Sequence, residues 1–333
     1  MKPLKVILAN RAAGAFWSIE KLFLNVAEAF PEWVRSTVVT APRQRADLGS
    51  LLANLRWLRS LKDGDLIHQT GDIHYAILGQ RRRPVVLTIH DLRFIEETHG
   101  LKRLVFWWLW LYLPCRRAKR VTVISEFTKT RLLALCSIKA EKIQVIPNCV
   151  APEFTFKPKL WPVGKPRLLQ IGTTDNKNLD RLSEACTGLA IQLCILGKPT
   201  KSQRAQLDRW GIDYQCFSDL TKEEVVELYV ACDLVVFVST YEGFGLPILE
   251  AQAVGRPVLT SNLSPMREVA GDGAFLVNPF KVEAIRSGLL RLLEDAQLRE
   301  TVVVAGTNNV RRYSAKAIAE QYAAVYREVM EKS

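Results

Sequence analysis

The chain has 333 residues and no apolar run able to cross a bilayer. Its longest apolar core, Leu104–Cys115, falls short of the roughly 20 residues a spanning helix needs. It has no tight cysteine pair: seven scattered cysteines read as small core residues in a reducing compartment and argue against a disulfide framework. Histidine is scarce, with four residues that all lie between 68 and 99. Their spacing fits no standard zinc pattern, so no metal site is expected. Nucleic-acid modules, aromatic RNA-binding signatures, internal repeats and low-complexity segments are also missing. The first apolar run stops at Asn10-Arg11, too early for a signal peptide, and is expected to be the first strand of a sheet.

What is present is ordinary in bulk. Apolar residues make up 48% and charged residues 24%, a globular composition, and the length gives room for two cored domains. The net charge of +12 is uneven. Residues 1–160 hold 26 Lys/Arg against 13 Asp/Glu, and residues 161–333 hold 20 against 21. A basic half suits an anionic partner, such as a membrane surface or a phosphorylated substrate, or is a solvated surface with no partner. Without a recognisable module, nucleic acid is not expected.

Organisation follows from alternation. Residues 5–9, 36–40, 66–68, 85–89, 121–124 and 143–146 read as strands with helical stretches such as 19–30 and 102–113 between several of them. The pattern restarts with 167–171, 192–196, 214–217, 234–238, 258–260 and 274–277. Strands alternating with helices predict α/β architecture, with two doubly wound, Rossmann-like domains joined near the proline-rich segment 147–164. Ligands of such sheets bind outside the carboxyl ends of strands, here expected in a cleft between the domains.

The most informative stretch is Thr240–Gly255, which reads TYEGFGLPILEAQAVG. A short apolar run ending at Ser239 leads through Gly243-Phe244-Gly245 into a helix beginning near Leu246-Pro247. Free N–H groups at such a helix start suit a phosphate or diphosphate, and the glycines let backbone approach it. Glu242 and Glu250 stand eight positions apart across the turn, placed to accept hydrogen bonds from sugar hydroxyls. The same stretch also fits an ordinary βα unit, with Glu242 as a cap and Glu250 as a solvated helix carboxylate.

Glu242 and Glu250 match the E-x7-E motif of the retaining, nucleotide-sugar-dependent glycosyltransferases of the GT-B fold, the "group 1" or family 4 class. The similarity continues in Gly255–Thr260, Ser264–Val269, Gly271–Pro279, Leu169–Asn178, Val145–Asn148, Val121–Lys129 and Leu87–Asp91, in the family's order over most of the chain. The resemblance implies an acceptor-side domain over 1–160, a donor-binding domain over 161–314, and a helix over 315–333 crossing back to the first domain. It implies transfer of a sugar from a UDP- or GDP-sugar to a glycan or lipid-linked acceptor, with retention and without an obligatory metal. Gly172, Lys177, Gly243, Phe244, Gly245, Leu246 and Glu250 would bind the donor. Glu242, His90 and Lys177 would be catalytic: Lys177 at the diphosphate, Glu242 on a sugar hydroxyl, His90 beside the donor sugar. Gly14, His68, His74 and Asp91 are candidate acceptor-side or cleft residues, with Asp91 either orienting His90 or capping the next segment.

The chain departs from the family where many relatives carry an Arg ahead of Lys177; here stand Thr173, Thr174 and Asp175, so the phosphate site either holds one cation fewer or borrows Arg256 or another residue. Asp63-Gly-Asp65 mimics a metal-binding D-x-D pair but precedes a strand and reads as a turn. Leu101–Arg120 carries three tryptophans between basic clusters. It fits a helix buried on the first sheet, with basic ends and some aromatics left for an anionic membrane. A cytoplasmic location, peripheral to the inner membrane face, is expected. Two other readings stay open: a nucleotide-sugar epimerase or hydrolase of the same fold, and a non-catalytic glycan- or membrane-binding subunit.

Overall fold

A computed structural model describes residues 2–12, 18–45 and 47–332. They form two compact units, Met1–Cys149 with Ala315–Ser333, and Val150–Ser314.

The first unit is built on a six-stranded parallel sheet of β1 (Leu4–Asn10), β2 (Val34–Thr40), β3 (Leu66–Gln69), β4 (Val85–Ile89), β5 (Arg120–Val123) and β6 (Ile143–Val145). The order is β2-β1-β3-β4-β5-β6, so the direction of winding reverses between β1 and β3. Helices cover both faces, which is why central strands such as β4 are buried throughout and read as continuous apolar runs.

The second unit repeats the plan with β7 (Arg167–Ile171), β8 (Gln192–Leu196), β9 (Tyr214–Phe217), β10 (Leu234–Phe237), β11 (Val258–Ser261) and β12 (Phe275–Val277). The order β12-β11-β10-β7-β8-β9 puts its reversal between β7 and β10. At such a reversal adjacent connections leave in opposite directions and open a crevice at the carboxyl ends of the two strands.

The second unit starts at Val150 rather than at residue 161. The proline-rich segment is laid against it: Phe154 packs edge-on to Tyr229 with ring centroids 5.3 Å apart, and Lys157 N–H donates to the Val254 carbonyl at 3.2 Å. Gly255, at φ +77°, is bare for a steric reason, since a Cβ there would lie 2.4 Å from the Phe156 ring. Lys159 pairs with the buried Asp233 at 2.7 Å.

The helix Ala315–Glu331 belongs to the first unit. It buries Ile318, Ala319, Tyr322, Ala323, Val325, Tyr326 and Val329, and Arg120 at the start of β5 pairs with its Glu328. This packing corrects the expectation for His68. Its imidazole is fully buried under that helix, with Nδ1 2.7 Å from Tyr326 Oη, Nε2 2.6 Å from Thr88 Oγ1, and Phe23 edge-on at 5.2 Å. Both ring nitrogens are occupied, and burial holds its pKa down to about 3. His68 is a neutral core residue and not a cleft residue.

Candidate active site

At the reversal point of the second unit, β7 runs into Gly172 at φ +83°, a left-handed conformation that glycine adopts without strain. A Cβ at Gly172 would sit 3.0 Å from Lys177 Cγ, so the lysine stem lies directly over this bare backbone. The intervening loop is tied to the loop after β10. Thr240 N–H donates to the Asn176 carbonyl at 2.8 Å, and Asn176 Nδ2 donates to the Tyr241 carbonyl at 2.9 Å. Asn178, itself left-handed at φ 61°, is buried and donates to the carbonyls of Val238 and Pro279 at 3.0 and 2.7 Å. Left-handed backbone is a conformation that asparagine tolerates better than most residues.

These ties fix Lys177. Its Nζ lies 2.6 Å from Glu242 Oε1 and 4.7 Å from the centroid of the Phe237 ring. The two side chains are only 19% and 15% exposed, enough to strengthen the pair relative to one on an open surface. Glu242 also accepts from Asn176 Nδ2 at 3.4 Å. An anion entering here would meet a positioned ammonium that must leave or share its carboxylate.

The helix Leu246–Val254 begins one step further on. Gly245, at φ +118°, is its N-cap, and Pro247 occupies a first-turn position where a missing N–H costs nothing. Ile248 N–H already donates to the Gly245 carbonyl at 3.1 Å, and the positive end of the helix dipole lies at the same end of the sheet as Lys177, where it favours an anion. Phe244 is buried edge-on against Tyr313 at 6.0 Å. Glu250, one turn into the helix, accepts 2.6 Å from Tyr229 Oη. Burial pushes the Glu250 carboxyl above the ordinary range, while the Tyr229 bond and the Lys177 charge pull it back. Tyr229 is wholly buried, so it holds that carboxylate in one orientation.

In the first unit the reversal point lies at the ends of β1 and β3. Arg11 bridges Glu20 at 2.6 Å and Asp72 at 2.5 Å. Gly71 lets the chains close up here, since a Cβ on it would lie 2.8 Å from the Arg11 backbone nitrogen. His90, just past β4, is 6% exposed, and its Nε2–H donates to the Thr70 carbonyl at 2.8 Å. That bond leaves Nδ1 as the lone-pair nitrogen of the neutral ring. Burial lowers the His90 pKa, against opposing pulls from Asp72 and the Thr70 carbonyl, so the ring is neutral at pH 7.

The family model described as Glycosyl transferases group 1 matches residues 152–309, and that of Glycosyltransferase Family 4 matches residues 11–154. The chain belongs to the group 1 glycosyltransferases. It is 28% identical over 263 residues to the O-antigen chain mannosyltransferase B of Escherichia coli, covering 71% of this chain and 68% of that one. It is also 28% identical over 299 residues to the MMP alpha-(1->4)-mannosyltransferase of Mycolicibacterium hassiacum, covering 79% and 70%. Among solved structures, Anabaena Alr3699/HepE in complex with UDP and glucose superposes with a TM-score of 0.77 at 18% identity, covering 96% and 99% of the two chains. WaaG, a glycosyltransferase involved in lipopolysaccharide biosynthesis, gives 0.70 at 17% identity over 97% and 99%. At these identities the likeness shows the GT-B fold.

Within this glycosyltransferase several expected residues fall elsewhere. His74 is 2% exposed, with Nδ1 2.9 Å from the Trp110 carbonyl and its ring edge-on to Phe94, so it is a core residue. Asp91 is exposed and accepts from Arg93 N–H at 3.1 Å, capping the segment that follows. Arg256 does not replace the absent loop arginine. Its Nη1 is held by the carbonyls of Lys157, Val254 and Gly255, and its Nη2 by Val230. Gly14 lies outside the described residues.

The structure also brings to this region residues that the sequence did not mark. Asn176 laces the two loops, and its place beside the lysine was the available hint. Tyr229 anchors Glu250 from the helix Lys222–Ala231, and nothing in the local sequence around it signals that contact. Arg11 and Asp72 form their pair across 61 positions, beyond the reach of local pattern.

Proposed function

We propose that this enzyme moves a hexose from a UDP- or GDP-sugar to a hydroxyl of a glycan or lipid-linked acceptor, with retention of anomeric configuration and without an obligatory metal. The observation that carries the reading is the positioned Lys177, 2.6 Å from Glu242, at the same reversal point as the start of the helix Leu246–Val254. The lysine charge and the positive end of the helix dipole would stabilise the charge that grows on the departing diphosphate, and most strongly in the transition state. Glu242 would hold a donor-sugar hydroxyl, and Glu250, oriented by Tyr229, the ribose hydroxyls. Gly172, Gly243, Phe244, Gly245 and Leu246 would shape the donor pocket.

In the proposed step the bond from the anomeric carbon to the diphosphate oxygen breaks, and the acceptor oxygen bonds to that carbon on the same face. The departing phosphate oxygen takes the acceptor proton, so no enzyme nucleophile is required. His90, neutral and oriented by Thr70, is proposed to contact the sugar. The names of the curated relatives, an O-antigen chain mannosyltransferase and an MMP alpha-(1->4)-mannosyltransferase, support polysaccharide or glycan assembly and make mannose the first sugar to test.

The test is release of free UDP or GDP from a panel of nucleotide sugars in chelator, with and without lipid-linked acceptor extract. Release from one donor, stimulated by extract and lost in Glu242→Ala, is expected. Release that ignores acceptor would favour a hydrolase or epimerase, and no release from any donor would favour a non-catalytic subunit.

A further inference from the structure

The helical segment Gly100–Phe106, Trp107–Tyr112 and Leu113–Arg117 packs one side on the first unit and leaves another uncovered. Trp110, Leu111 and Cys115 are buried in the sheet's core, and Trp107 donates Nε1–H to the Leu135 carbonyl at 2.8 Å. Leu101, Leu104, Val105 and Trp108 remain 77%, 51%, 46% and 43% exposed. Their spacing of three, four and seven positions puts them on a single helical face. A row of four large apolar side chains facing water is a marked exception to ordinary burial, and such patches mark interaction sites.

The apolar row runs into a basic hollow. Trp108 meets the Tyr112 ring edge-on at 4.9 Å, and Tyr112 Oη accepts from Arg116 Nη1 at 2.9 Å. Arg116 lines a hollow of about 480 Å³ whose other cations are Lys119, Arg120, Lys139, Lys142 and Lys332, against Glu141 and Glu328. Glu328 already pairs with both Arg120 and Lys332. Among the described residues no ion pair engages Arg116, Lys119 or Lys139, and Lys142, also without an ion pair, donates its Nζ to the Arg116 carbonyl at 2.9 Å. Burial holds the Lys142 ammonium below the ordinary lysine range, opposed by Cys115, and the charges of Arg116, Lys119 and Arg117 push it the same way as burial. This hollow sits at the amino ends of β5 and β6, the opposite end of the sheet from His90, so it is not part of the substrate crevice.

We infer that this face docks on an anionic lipid bilayer, with the row Leu101–Trp108 at the headgroup–acyl boundary and the unpaired cations on lipid phosphates. The combination selects the occupant. A soluble polyanion would use the cations and leave the apolar row wet, whereas a bilayer surface satisfies both at once. A second copy of the chain would have to approach a unit carrying 27 Lys/Arg against 15 Asp/Glu, and would meet its own positive field.

The test is co-sedimentation of the full chain with phosphatidylcholine vesicles and with vesicles containing about one-third phosphatidylglycerol, at low and high salt. It contains no nucleotide, acceptor or sugar, so its outcome is separate from that of the proposed reaction. Binding at least about tenfold tighter to the anionic vesicles is expected, weakening with salt. Lys119→Gln and Lys139→Gln should each weaken it roughly fivefold, and the pair Leu104→Ser, Trp108→Ser about tenfold or more, with unchanged circular dichroism and Tm. Equal binding to both vesicle types would overturn the inference. So would serine variants that keep full binding, because the cations alone would then suffice. Serine variants that turn a dimer into a monomer would overturn it as well, by making a second copy the occupant.

Discussion

Met1–Cys149 with Ala315–Ser333 carries 27 Lys/Arg against 15 Asp/Glu, while Val150–Ser314 carries 19 of each, although both are six-stranded parallel sheets with one reversal of winding. The whole net charge of the protein therefore lies on the first unit. The second unit is neutral in sum, and at its reversal point Lys177 is held over Gly172 and against Glu242 by backbone geometry and by two asparagines. In the first unit the strand-end histidines go the other way, with His68 neutral in the core and His90 neutral at its edge. Bulk charge and site charge are thus separate quantities. The excess positive charge marks a surface, and the positioned lysine marks a crevice.

The sharpest way to break that contrast is to remove the positioned lysine. Lys177→Met should lower kcat about 10²–10³-fold in a donor-turnover assay, the scale on which preorganised charge stabilises a departing group. Neutralising a lysine on the first unit's surface, such as Lys119→Gln, should leave turnover of soluble donor unchanged. Equal losses in the two variants would mean that bulk charge and not position matters.

Next in size is acid lability confined to the first unit. His68 has a folded pKa of about 3 against an ordinary 6.5, so below pH 6.5 the unfolded state takes up a proton that the folded state refuses. Stability is then lost as pH falls from 6.5 toward 3, by about 2 kcal/mol at pH 5. The lowered pKa values of His74 and His90 act in the same direction. Hydrogen exchange should show β3 and β4 losing protection at pH 5 ahead of β7 and β10. Simultaneous loss in both units would contradict the assignment.

Smaller again is Glu250. Its raised carboxyl means that ionisation opposes folding, and the opposition grows as pH rises through a folded pKa above the usual 4.5. Glu250→Gln should therefore leave the ligand-free protein as stable or slightly more stable at pH 7. It should weaken nucleotide binding about tenfold through loss of charge-assisted hydrogen bonds, and titration calorimetry with parallel melting curves reads both. The smallest effect is expected at Asp91, which caps a turn and adds only a minor charge interaction with His90. Asp91→Asn keeps an acceptor for the Arg93 N–H and should change turnover less than about threefold. A large loss would restore Asp91 to the reaction.

The sequence made the strands legible because parallel strands covered on both faces are short apolar runs set between helices, and β4, β7, β8 and β9 begin and end where that pattern does. The Lys177 loop and the Gly243–Gly245 turn were legible because their geometry is local: one glycine at positive φ, one helix start. His68 was not, because a strand end looks the same whether its side chain faces a crevice or a helix 258 positions away. Tyr229 was hidden for the same reason, reaching Glu250 from a separate helix. The boundary at 150 depended on Phe154, Phe156 and Lys159 finding partners in the second unit, which proline content alone does not reveal.

The measurement that tests the account most directly is titration calorimetry of UDP and of GDP into the wild-type chain and into Lys177→Met, with melting curves to establish that both are folded. One nucleotide is expected to bind the wild type, and Lys177→Met to bind it at least about tenfold more weakly. Equal affinity in the two proteins, or no binding of either nucleotide to the wild type, would contradict the claim that Lys177 and the neighbouring helix start form a diphosphate site.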